Sequence, residues 1–115
     1  MDIIIIKEPI TRAELRKIAE KRYGDLVKAA VDIKQSIMAV GGELHIDEEM
    51  VLIEQVGSVQ NDVWGINIYP EEVGENFIEF DSMINLKPSL GNRTRSVDDP
   101  QRRDAIIAVV HKLIQ

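Results

Sequence analysis

The chain has 115 residues, 44% hydrophobic and 30% charged, the composition of one folded α+β-sized domain and not of a disordered chain. It contains no cysteine, which excludes disulfides and thiolate metal sites. Its net charge of −6 makes nucleic acid an unlikely partner, because broad nucleic-acid binding needs an extended positive field.

The charge is unevenly spread. Residues 43–81 carry eleven Asp or Glu and no Lys or Arg, while residues 1–42 and 82–115 are net +2 and +3. An acidic surface that docks a basic protein partner or a small cationic ligand is the expectation that follows. The acidic start, Met1-Asp2, precedes only four isoleucines, Ile3 to Ile6. A secretory signal needs a basic start and an apolar run of about 7–15 residues. No stretch approaches the roughly 20 apolar residues of a membrane span. The expectation is a cytoplasmic protein with no membrane partner.

In chain order, Ile3 to Ile6 predict a short buried strand, stopped by Pro9. Thr11 and Glu14 have the spacing of a capping box, and Ile10 and Leu15 flank it as a hydrophobic staple. The helix they open runs to about Tyr23, ahead of Gly24. Residues 25–42 carry two patterns. Val27, Ala29, Val31 and Ile33 alternate as in a strand, whereas Leu26, Ala30, Ile33, Ile37 and Val40 recur at helical spacing. Asp25 and Gly41-Gly42 supply end signals for the longer pattern, so a helix is predicted.

From Glu43 the pattern predicts a β meander. Leu44 and Ile46 alternate with Glu43, His45 and Asp47, and Met50 to Ile53 is an apolar run before the turn at Gly57-Ser58. A second strand covers Asp62 to Tyr69 and a long third one Phe77 to Leu86, with residues 71–76 as the loop between them. Residues 87–97 have no periodicity and read as loop. Asp99-Pro100 starts a final helix whose buried stripe is Ile106, Val109, Val110 and Leu113. The expected fold is therefore one α+β domain over residues 1–115. Its order is β-α-α-β-β-β-α, with a mainly antiparallel sheet covered by helices in two layers.

Gly41-Gly42-Glu43-Leu44-His45-Ile46-Asp47, Trp64-Gly65-Ile66-Asn67, Ser82-Met83-Ile84-Asn85-Leu86-Lys87-Pro88 and Gly91-Asn92-Arg93 resemble a family of small uncharacterised prokaryotic proteins, a domain of unknown function. The resemblance runs from about residue 25 to the C-terminus. It implies a prokaryotic cytoplasmic protein and transfers no activity and no functional residues.

The chemistry-bearing candidates are few. On a strand, Glu43, His45 and Asp47 share one face, because side chains alternate with period two. An imidazole with two carboxylates suits a divalent transition metal and the activation of water, with Asp32 and Glu49 as further acids in the same region. The bland alternative is the wet face of an edge strand. Trp64, the only tryptophan, reads mainly as a core or rim anchor and secondarily as a ligand or interface residue. Asn67 and Asn85 fall beside it in the same secondary role. Asn92, Arg93 and Arg95, with Lys87, gather positive charge in one loop, which suits an anionic group or simple neutralisation of Glu79 and Asp81. His111 lies in the last helical turn, where the helix dipole accounts for it.

Three functions follow in order. The first is a binding or interaction module with an acidic surface. The second is a metal-dependent hydrolase using Glu43, His45 and Asp47. The third is a toxin-like ribonuclease, by fold analogy only and against an acidic pI. The edge strands of a meander also leave a homodimer open.

Overall fold

The computed structural model describes residues 2–115. Five strands form one antiparallel sheet in the order β1-β3-β2-β4-β5: β1 is Ile4–Ile6, β2 Val27–Asp32, β3 Ile37–Val40, β4 Val63–Ile68 and β5 Ile78–Glu79. Three helices accompany it, α1 (Arg12–Glu20), α2 (His45–Val56) and α3 (Pro100–Leu113). The class is α+β with an antiparallel sheet. The order along the chain is β-α-β-β-α-β-β-α, which corrects the predicted β-α-α-β-β-β-α.

The helix starts that rest on capping chemistry form as the sequence predicts. Thr11 Oγ1 accepts the Glu14 N–H at 3.1 Å, and the Glu14 carboxylate accepts the Thr11 N–H at 3.2 Å, the reciprocal pair of a capping box. α1 ends at Glu20, a turn earlier than Gly24 suggests. At α3, Asp99 accepts the Gln101 N–H at 2.9 Å and Pro100 occupies the first turn. All four residues of its predicted stripe are buried.

Two segments depart from prediction. Residues 25–42 form the β2–β3 hairpin, not a helix. Both strands are central in the sheet and buried on both faces, so nearly every position is apolar. Such a run satisfies strand and helix periods alike, and the end signals favoured the wrong one. The Asp32 carboxylate closes the hairpin by accepting the N–H of Lys34 at 2.9 Å and of Gln35 at 3.0 Å. Residues 45–56 form α2, not a strand. Its inward stripe is His45, Glu48, Glu49 and Leu52, at spacing i, i+3, i+4, i+7. Three of those four are polar, so a hydrophobic pattern does not reveal the helix. Gly57, at φ +68°, terminates it in the left-handed region. The predicted strand 77–86 holds only Ile78–Glu79, beyond which the chain turns away at Ser82.

The helices divide between the two faces of the sheet. On the first face Leu15 and Ala19 of α1 and Ile106, Val110 and Leu113 of α3 pack on Val31, Met38, Val40, Trp64 and Ile66. On the second, Leu52 of α2 packs on Ala30, Ile37, Ala39 and Val63. The register sets Ala39, Ala30 and Gly65 side by side across β3, β2 and β4. This row of small residues lets α2 and the Ser82–Asn85 turn approach the sheet closely. The C-terminus closes the first face: Ile10 N–H donates to Leu113 O at 2.8 Å and Gln115 N–H to Ile10 O at 2.9 Å.

Candidate functional site

A period of 3.6 residues separates the three residues proposed as metal ligands. His45 is buried at the start of α2, Glu43 is exposed just outside the helix, and Asp47 lies on a different flank. The His45 ring turns inward, with Nε2 2.8 Å from Ile66 O. A carbonyl only accepts, so Nε2 carries the proton. Burial pushes the His45 pKa down; the Ile66 carbonyl opposes the shift and the Lys28 ammonium adds to it. The ring is therefore neutral at physiological pH. Asp32 is no help, since its Oδ2 also accepts from Ser58 Oγ at 2.6 Å and Gln35 Nε2 at 2.9 Å. Among the described residues no three His, Asp or Glu side chains lie together as metal ligands. The expected Glu43–His45–Asp47 constellation, and with it the basis for a divalent metal there, is corrected by the helix.

Around His45 lies a polar row of which the sequence singles out only Asn67 as a candidate ligand residue. Lys28, Asn67 and Glu79 stand directly opposite one another on β2, β4 and β5, on the second face. Asn67 Nδ2 donates to Glu79 Oε1 at 2.9 Å and the Tyr69 hydroxyl to the same oxygen at 3.1 Å. Beneath α2, Glu48 Oε2 accepts the Gly42 N–H at 2.9 Å. A Cβ on Gly42 would come within 2.9 Å of Glu48 Cγ, so the approach needs glycine. Burial raises the Glu48 pKa well above the usual carboxylate value, against the Gly42 hydrogen bond. Glu49 is buried too; burial raises its pKa and the Lys87 ammonium opposes this.

The residues expected to bind a ligand are mostly occupied internally. Trp64 is fully buried, with the Lys87 ammonium 5.1 Å and the Arg102 guanidinium 5.2 Å from its ring centre. It is a core anchor, and the secondary reading of a ligand-stacking residue is corrected. Asn85 acts as a substitute strand: its Oδ1 accepts the Gly65 N–H at 2.8 Å and its Nδ2 donates to Gly65 O at 2.9 Å. A Cβ at Gly65 would collide with Ser82. Asn92 holds the following loop, donating to Asn85 O and Ser96 O, both at 2.7 Å, and accepting the Asp98 N–H at 2.8 Å. Arg95 pairs with Asp81 at 2.8 Å, the neutralisation considered beside the anion-binding reading. Arg93 is exposed.

The concave surface lies elsewhere, on the first face. An open groove of about 740 Å³ runs between β5 and α3. Its floor is Phe77, Ile78, Phe80 and Ile107. Glu75 and Asp104 border it, as do Arg12, Arg103 and His111. The Arg12 guanidinium stacks 4.1 Å from the Phe77 ring centre and donates to the carbonyls of Pro70 at 3.0 Å and Glu72 at 3.1 Å. Arg103 stacks 4.5 Å from Phe80 and donates to Val97 O at 2.6 Å and Ser96 Oγ at 2.7 Å. Both cations are thus fastened to the groove wall. Arg103, Ile107 and His111 recur every four residues along α3, a stripe next to the buried one that could have signalled a second, half-covered face.

No helix among the described residues is long and apolar enough to cross a membrane. No curated protein and no solved structure matches the chain. One family model does, over residues 4–113, and its description is a protein of unknown function, DUF5674. The chain belongs to that family, a domain of unknown function.

Proposed function

We propose that this domain is a binding module whose site is the groove between β5 and α3 and whose preferred ligands are cationic. The single observation that carries this reading is the groove itself: an apolar floor of about 740 Å³ open to solvent at the rim of the core. Concave apolar surfaces with a few polar groups are where ligands bind. The preference for cations rests on the free carboxylates. Glu75 and Asp104 border the groove, and Glu72 is exposed nearby. Arg12 and Arg103 keep their charge while held against carbonyls and aromatic rings, so the preference rests on where the exposed carboxylates stand and not on the net charge of the rim. This keeps the acidic middle of the chain as the docking surface and moves its focus from a meander to one sheet edge.

The test is a chemical-shift titration with two small amphiphiles of opposite charge, phenethylammonium and phenylacetate. Phenethylammonium should perturb the amides of Phe77 to Phe80 and Ile107, with weakening as salt rises. Ile107→Arg, which fills the floor with a like charge, should abolish the effect. Preference for phenylacetate, or no response at the groove to either compound, would sink the reading.

A further inference from the structure

β5 is the last strand of the sheet, so one of its edges has no neighbouring strand. Tyr69 N–H donates to Phe77 O at 2.9 Å, and Asn67 stands opposite Glu79. In an antiparallel ladder the hydrogen-bonded and non-hydrogen-bonded pairs alternate. The Phe77 C=O and the Glu79 backbone groups therefore point at β4, the Phe77 N–H donates to Gly74 O at 3.2 Å, and Ile78 points its N–H and C=O outward, along the groove. The side chains alternate in the other sense. Ile78 and Phe80 face the groove and pack on the first-face core, while Glu79 stands on the second face.

We propose that the occupant of the groove is an extended peptide segment that adds to β5 as a sixth strand and that alternates apolar and basic residues. This rests on the binding-module reading and names the ligand for the same site. A strand added there exchanges two hydrogen bonds with Ile78, the main-chain half of strand-addition recognition. The residue opposite Ile78 projects into the groove, over Phe80 and Ile107, and must be apolar. Its two neighbours project to the other face, beside Glu79. Asn67 and Tyr69 both donate to Glu79 Oε1, which leaves Oε2 for an incoming Lys or Arg. At the groove margin Glu75 and Asp104 stand beside Arg12 and Arg103, so the selection against an acidic segment comes from Glu79 on the second face. β5 is only two residues long, which limits the main-chain contribution and leaves the groove to supply the rest.

The probes are capped hexapeptides: Lys-Val repeated three times, a block isomer of the same composition, and the repeat with alternate amides N-methylated. The repeat should bind at least tenfold more tightly than either control. At saturation it should slow hydrogen exchange of the Ile78 amide at least tenfold while leaving Glu79 unchanged, since that amide already faces β4. Ile78→Pro would not isolate the outward donor, because the Ile78 side chain lines the groove and Phe77 before it has helical backbone angles (φ −70°, ψ −40°) that a following proline disfavours, so the N-methylated peptide is the deciding probe. Equal binding of all three peptides with no protection at Ile78 overturns strand addition and leaves groove binding intact. Binding of phenethylammonium but of no peptide does the same. Failure of the repeat together with failure of phenethylammonium overturns both.

Discussion

The two faces of the sheet are built on different principles. The first is covered by α1 and α3 through Leu15, Ile106, Val110 and Leu113, and its cluster is built of hydrophobic side chains, with Trp64 Nε1 buried and unpartnered among them. The second is covered by α2 and the Ser82–Asn85 turn, and it buries Asp32, His45, Glu48, Glu49, Ser82 and Asn85 around a small apolar patch. A dry face holds together by area and packing. A face with buried polar groups depends on the partners they keep, because an unpaired atom forfeits its hydration, as Glu48 Oε1 and Glu49 Oε2 already do. The first face should therefore yield gradually to changes of volume and the second sharply to changes of hydrogen bonding.

The largest effect is expected on the dry face. Trp64→Ala empties the centre of the main cluster and should cost about 3–5 kcal/mol, read from urea denaturation. By contrast, Leu113→Met on that face should cost less than about 1.5 kcal/mol, because volume is kept. Asn85→Leu comes next. It keeps side-chain volume but orphans the Gly65 N–H and C=O, each worth about 1–3 kcal/mol and less than additive at one site, so a loss of about 2–4 kcal/mol is expected. A neutral Asn85→Leu would break the comparison, since it would make the second face as forgiving as the first. Ala30→Leu tests the small-residue row. It drives a larger group between β2 and α2 and should cost about 1–3 kcal/mol by overpacking.

The smallest effect depends on pH. The raised Glu48 pKa means that the fold prefers its protonated form. Its contribution is fully present below the unfolded value of 4.5 and fades as pH rises toward the folded one. Glu48→Gln keeps an acceptor for the Gly42 N–H and removes the titration. The variant should match or exceed the wild-type melting temperature at pH 7 and lose that advantage near pH 4.5. His45 works in the opposite sense. Its pKa is lowered from 6.5, so its stabilising effect is present above that value and is lost as pH falls through the folded one. An acid-to-neutral melting series on Glu48→Gln, where this loss is less masked, sharpens the contrast between the two titrations.

The same division governs how much of the molecule the sequence discloses. On the dry face, pattern and capping chemistry suffice: the Thr11–Glu14 box and the Asp99-Pro100 start are local signals, and Ile106, Val109, Val110 and Leu113 are a readable stripe. On the wet face they do not. α2 buries His45, Glu48 and Glu49, which a reading by hydrophobicity assigns to solvent. Strand spacing unites Glu43, His45 and Asp47, and helical spacing parts them. β2 and β3 are apolar on both faces, so period alone does not tell them from a helix. Asn85 and Asn92 stood out as residues, but their partners are backbone groups twenty and seven positions away, which no local pattern encodes. The groove was invisible for a similar reason: Phe80 and Ile107 come from segments with no sequence relation, and only the fold sets them side by side.

The sealed position of Trp64 has a practical consequence. It is the chain's sole tryptophan, so the indole fluorescence of the domain comes from one place, an apolar core flanked by two cationic side chains. Emission should lie at short wavelength in the folded domain and move to longer wavelength when water reaches the ring. Both walls around that ring matter to it: Arg102 belongs to α3, and Lys87 to the loop that Asn85 and Asn92 pin against β4. One colour change thus registers the loosening of either face, with no label attached to the protein.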